Sequence, residues 1–130
     1  MRVGVGRYVI HIPGARTLKD RRHVVKSFKD RVRARQPVSV AEVGDANRLQ
    51  LATFGVSVVS NSAEICHDVL NAVTHMASEL PEAVLTEVST EVIPFGDDGE
   101  GIAQGRPNFA SAPRRDPLQI EPVRRKGNRA

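Results

Sequence analysis

The chain has 130 residues, 40% hydrophobic but only 4% aromatic, with 19 Lys and Arg against 15 Asp and Glu and a formal net charge of +4. That length suits one domain with room for an appendage, and with no tryptophan the core falls to Val, Leu, Ile and Ala, leaving little to stack on bases. A single cysteine, Cys66, excludes an internal disulfide framework and fits a reducing cytoplasm, while no apolar run approaches the roughly 20 residues that span a bilayer.

The opening "MRVGVGRYVIHIPG" alternates small and apolar residues and lacks a charged region, apolar block and cleavage site, so it reads as a strand and not a signal peptide. Over residues 7–12, Tyr8, Ile10 and Ile12 share one face and Arg7, Val9 and His11 the other, the pattern of a half-buried strand. "IPGA" suits a type II turn, with Pro and Gly at its two central positions. Thr17 and Asp20 have capping-box spacing, so a helix should begin near Leu18; Val25, Phe28 and Val32 continue its apolar stripe and Pro37 stops it.

"VSVAEV" (38–43) and "LQLATFGVSVVS" (49–60) are β-rich runs joined by "GDANR", which predicts a hairpin. Asn61 or Ser62 can cap a second helix over about 63–79, with Ile65, Val69, Ala72, Val73 and Met76 inward. "AVLTEVSTEVIPF" (83–95) alternates as a last strand, with Val84, Thr86, Val88, Thr90 and Val92 on one face. The order β-α-β-β-α-β predicts an α+β, ferredoxin-like sandwich: a four-stranded antiparallel sheet with both helices on one face. Residues 1–95 form this domain. Residues 96–130 hold five Gly and four Pro, few apolar residues and no periodicity, which predicts a disordered C-terminal tail, basic beyond residue 100.

Charge is strongly polarised along the chain. Gly14 to Gln36 carries nine basic and two acidic side chains, whereas Pro37 to Phe95 carries one basic and eight acidic ones. At about 100° per residue, Lys19, Arg22, Lys26, Lys29 and Arg33 fall within about 80° of one another on the first helix. Arg22–Lys26 and Lys29–Arg33 are like-charge pairs at i, i+4, and Lys19, Arg21 and Arg22 sit where the helix dipole disfavours cations. Local helix stability does not account for that placement, so an anionic partner is expected. Arg16, Lys19, Arg21, Arg22, Lys26, Lys29 and Arg33 are the candidate nucleic-acid-binding residues, meeting phosphates by charge without reading bases. The open side of the first strand lacks aromatics for base stacking, which favours structured RNA over sequence-specific single-strand recognition.

Other constellations carry less chemistry. "GVG" (4–6) lies inside a strand and lacks the third glycine before a helix that a dinucleotide site needs. Cys66 and His67 diverge by about 100° on a helix, and His75 lies eight residues on from His67, a poor metal set; His75 and Glu79 suit a surface ion pair. Glu87 and Glu91 share a strand face, and His11 and His23 suit structural or phosphate-contacting roles; no nucleophile, base and orienter must converge. No cofactor, metal or catalytic residue is therefore expected.

"HIPGARTLKDRRHVVKSFKDRVR" (11–33), "VSVAEVG" (38–44) and "FGVSVVS" (54–60) resemble the YlxP-like bacterial proteins, the domain of unknown function numbered five hundred and three, over about residues 1–95. The resemblance implies a small ferredoxin-like domain, and the family's usual neighbourhood of translation and ribosome-maturation genes implies a ribosome-associated role. Lys19, Arg21, Arg22, Lys26 and Lys29 match the family's basic motif. "GDANRLQ" (44–50) departs from it: relatives commonly have an aromatic where Leu49 stands and often a basic residue where Leu51 stands. The expected protein is a cytoplasmic, non-enzymatic RNA-binding accessory protein that contacts rRNA, on a ribosomal subunit or an assembly intermediate, through its first helix. The alternative is a self-associating structural or regulatory module, a homodimer, that binds a protein partner through its sheet.

Overall fold

A computed structural model describes residues 1–96. The elements follow the expected order: β1 (Arg2–His11), α1 (Leu18–Arg35), β2 (Ser39–Glu42), β3 (Leu51–Ser60), α2 (Ala63–Ser78) and β4 (Val84–Pro94). The strands form one antiparallel sheet in the order β2-β3-β1-β4, the ferredoxin-like α+β plan. The disordered, basic tail expected over residues 96–130 lies outside the described residues from 97 onward.

Local chemistry sets the helix ends. The Thr17 side chain accepts from the Asp20 N–H at 3.1 Å, while the Asp20 carboxylate accepts from the Thr17 N–H at 3.2 Å and the Arg16 N–H at 3.0 Å. At the far end Gln36 is already extended, as the residue before a proline prefers, and α1 stops. Ser62 caps α2 by accepting from the Ile65 N–H at 3.2 Å. Between β2 and β3, Asp45 folds an Asx turn onto the Asn47 N–H at 2.9 Å, so the turn runs through Gln50 and β3 starts at Leu51, two residues later than the β-rich run suggests.

The core lies between the helices and one face of the sheet. Tyr8, Ile10, Val40, Phe54, Val56 and Val58 meet Val24, Val25, Phe28 and Val32 of α1 and Val69, Leu70, Val73 and Met76 of α2. Phe28 and Phe54 pack at a ring separation of 4.8 Å and an angle of 56°, joining α1 to β3. The two glycines of "GVG" are packing devices. A Cβ on Gly4 would lie 2.9 Å from Val58 and 3.2 Å from the Cys66 Cβ, and one on Gly6 would strike the Tyr8 ring at 2.6 Å. The Tyr8 ring therefore folds back over Gly6, and its hydroxyl donates to the Leu70 carbonyl at 3.1 Å while accepting from the Thr74 hydroxyl at 3.2 Å.

The alternation expected for β4 is broken by a register shift opposite Val9 and Ile10. Leu85 pairs with Ile10 and Val88 with Tyr8, so both lie on the helix side although they are three residues apart; Thr86 is the extra residue, and its hydroxyl donates to the Val9 carbonyl at 3.2 Å. Val84 consequently leaves the inward set and is 54% exposed.

Candidate nucleic-acid interface

The buried side of α1 is formed by Arg21, Val24, Val25, Phe28 and Val32. The capping box fixes where the helix begins, and the apolar contacts fix its rotation, so the remaining side chains have set directions. Lys19, Arg22, Lys26 and Arg33 are exposed and Lys29 is half-buried; Arg16 is exposed just before the helix. From Lys19 to Arg33 the row extends about 21 Å along the axis, at about 1.5 Å per residue.

These cations differ in what they already hold. Lys26 pairs with Asp30 at 2.7 Å, and Arg33 donates to the Val40 carbonyl at 3.0 Å and lies 4.0 Å from Asp30. The Lys26 hydrogen bond, then the charges of Lys26, Arg33 and Lys29, hold the Asp30 carboxyl below the usual aspartate range. The side chains of Arg16, Lys19, Arg22 and Lys29 make no direct hydrogen bond or ion pair among the described residues. Asp30 is thus an acid set beside three of the cations, Lys26, Lys29 and Arg33. Asp20, also held low, chiefly by the Arg16 N–H, is occupied with the cap.

Arg21 departs from the expected set. Its side chain is only 3% exposed and that of its partner Glu42 15%. Both terminal guanidinium nitrogens bond the Glu42 carboxylate, and the fork also donates to the carbonyls of Arg48, Asp45 and Leu51. With its donors used in the interior, Arg21 cannot lie against an external phosphate; it ties α1 to β2 and to the β2–β3 turn. Its wheel position was the available signal, since at about 100° per residue Arg21 falls between Phe28 and Val32 in the apolar arc.

Two residues outside the expected set join the surface. A groove of about 440 Å³ lined by Gly14, Ala15, Lys19, Asp20, His23, Val24 and Glu82 meets a second of about 470 Å³ lined by His23, Lys26, Ser27, Asp30 and Arg31. His23 is common to both, and Arg31 brings a further cation to the flank. On the open sheet face Arg7 pairs with Glu87 at 3.0 Å, and on α2 His75 lies 2.9 Å from Glu79. Among the described residues no group of three or more His, Cys, Asp or Glu could hold a metal ion, and no helix is long and apolar enough to cross a membrane.

A family model described as "Protein of unknown function (DUF503)" matches residues 3–90. No curated protein matches the chain. Similar solved structures include the de novo designed protein Foldit4 (12% identity, TM-score 0.45, 73% of this chain and 99% of that chain) and Rv0793 from Mycobacterium tuberculosis (15%, 0.44, 73% and 95%). A third is the designed protein LFR1 1 with ferredoxin fold (14%, 0.42, 73% and 87%).

Proposed function

The chain belongs to the DUF503 family of proteins of unknown function, and we propose that it is a cytoplasmic, non-enzymatic RNA-binding protein whose α1 lies against the phosphate backbone of structured RNA. The observation that carries this reading is the set of solvent-facing cations on α1, of which Lys19, Arg22 and Lys29 make no direct hydrogen bond or ion pair among the described residues. Placing Lys19 and Arg22 in the first turns disfavours the helix through its dipole and is offset by the capping box, so the helix tolerates a local cost that an anionic partner would recover. The dominant contact is electrostatic, through Lys19, Arg22, Lys26 and Lys29, with Arg16, His23, Arg31 and Arg33 at its margins. Ribosomal RNA is the proposed partner, on a ribosomal subunit or an assembly intermediate.

The test is co-sedimentation of the full chain with ribosomal subunits across a salt series, beside a variant with Lys19, Arg22, Lys26 and Lys29 changed to Gln. Salt-sensitive binding that the variant loses supports the reading. Equal binding by both proteins, or none by either, overturns it.

A further inference from the structure

The two edges of the sheet are treated differently. β2 is four residues long, and its Val40 carbonyl is engaged by Arg33. β4 is eleven residues long, rich in Val, Thr and Ile, with no Lys or Arg and no proline before Pro94. Among the described residues, its protections as a free edge are the bulge at Thr86 and Pro94 towards its two ends and, between them, only the carboxylates of Glu87 and Glu91 on the open face, of which Arg7 neutralises the first. Val88 remains 40% exposed on the helix side.

The outward backbone groups can be assigned. The Phe95 N–H donates to the Met1 carbonyl at 2.8 Å, and the register with β1 is continuous from Glu87 to Pro94. By the alternation of an antiparallel ladder, Glu87, Ser89, Glu91 and Ile93 turn their N–H and C=O towards β1, whereas Val88, Thr90 and Val92 turn theirs outward. These three outward residues are self-complementary about Thr90.

We propose that β4 is a homodimerisation edge: two copies pair antiparallel about a two-fold axis at Thr90, joining their sheets into one of eight strands. In that register Val88 faces Val92 of the second copy and Thr90 faces Thr90, and the outward groups exchange six backbone hydrogen bonds. On the open face Ser89 lies opposite Glu91 and Glu87 opposite Ile93, so no like charges stand directly opposite one another. Neighbouring registers are worse. An axis at Ser89 sets Glu87 against Glu91, an axis at Glu91 sets that residue against itself, and an axis at Val92 brings in Pro94, which has no N–H to give. An axis at Val88 runs into the bulge at Thr86. The interface is an isologous one, and the second copy is the occupant that the edge fits at every outward position. The pairing does not rest on the RNA reading. Because the axis is perpendicular to the sheet, it sets both α1 helices on the same face of the dimer.

Sedimentation velocity of the full chain across the micromolar range tests this, with Thr90→Pro and Val88→Lys as disrupting variants and circular dichroism to confirm their folding. The wild type should approach twice the 14.2 kDa chain mass, and each variant should dimerise at least about tenfold more weakly, by the outward donor lost or the charge gained at the edge. Register is read separately by oxidation of Thr90→Cys, whose thiols would face each other at about 5.5 Å between Cα atoms, within disulfide reach. Thr90→Cys should cross-link to a dimer, while Val88→Cys alone and the parent with its buried Cys66 should not. A monomer throughout the range, a dimer unaffected by both disrupting variants, or cross-linking of Val88→Cys with itself in preference to Thr90→Cys overturns the proposal.

Discussion

Arg21 of α1 and Glu42 of β2 form a two-pronged ion pair inside the domain, where the arginine is 2% exposed. The guanidinium also satisfies the carbonyls of Arg48, Asp45 and Leu51, so one side chain closes the end of the β2–β3 hairpin against the helix. An arginine amid a run of basic residues is here a structural tie, and the surface that remains for a partner is narrower than the run itself.

Changing Arg21 to Met should therefore act on stability and not on RNA affinity. It leaves the Glu42 carboxylate and the Arg48 and Leu51 carbonyls without the guanidinium in a largely dry site, a loss of about 3–5 kcal/mol for breaking a buried pair. Arg21→Lys should recover little, because a point-like ammonium cannot serve a carboxylate and three carbonyls in a planar fork. Urea denaturation of both variants measures this, and full stability in Arg21→Met would refute the role given to the pair.

Much of the framework was legible in the sequence because its causes are local. Thr17, Asp20 and Pro37 mark the limits of α1, and the apolar periods distinguish helix from strand. What escaped depends on partners distant in sequence. The family motif groups Arg21 with its basic neighbours; its wheel position marks the inward direction, but the partner it meets there, Glu42, is distant in sequence. The phase of β4 escaped for the same reason, since the shift at Thr86 follows from the fit against Val9 and Ile10. The exposure of β4 is a matter of strand order, to which its alternation is blind.

The cations of α1 should contribute unequally to RNA binding. Among the described residues Arg22 makes no direct hydrogen bond or ion pair, whereas Arg33 is bonded to the Val40 carbonyl and sits beside Asp30. Arg22→Gln is expected to lower the slope of log K against log salt by about one, as for the loss of one phosphate contact. Arg33→Gln should lower it by clearly less, because moving that guanidinium to a phosphate breaks an existing bond. Filter binding to a structured ribosomal RNA fragment over a salt series compares them; equal slope changes would contradict the division.

The capping box makes the start of α1 sensitive to acid. Asp20 is held below the usual aspartate range, first by the Arg16 N–H and then by the Thr17 hydroxyl and N–H. A carboxyl lowered by folding contributes stability above its unfolded value, and that contribution is lost as pH falls through the folded one. The destabilisation caused by Asp20→Asn should thus be present at neutral pH and fade once the wild-type carboxyl protonates, below about pH 4. Thr17→Ala should weaken the domain by about 1 kcal/mol at neutral pH through loss of the cap. Thermal melts of the wild type and both variants across acid pH follow this; an Asp20→Asn penalty unchanged into strong acid would contradict it.

At alkaline pH the decisive group is Tyr8, the one tyrosine of a chain without tryptophan, so its ionisation can be followed by ultraviolet absorbance alone. Burial raises the phenol above its ordinary value, and the Thr74 hydroxyl lowers it by a smaller amount. The unfolded chain should release this proton near pH 10 while the folded chain still holds it, so the native state binds more protons over that interval. Stability should consequently fall as pH rises past about 10, because ionisation draws the chain towards the unfolded state. The absorbance change should coincide with loss of helical circular dichroism. Tyr8→Phe, which keeps the ring over Gly6 but removes the ionisable group, should unfold at higher pH than the wild type when both are titrated alongside each other. A tyrosine that ionises near pH 10 with the fold intact would show that the phenol is open to water and that its hydroxyl is not held between Leu70 and Thr74.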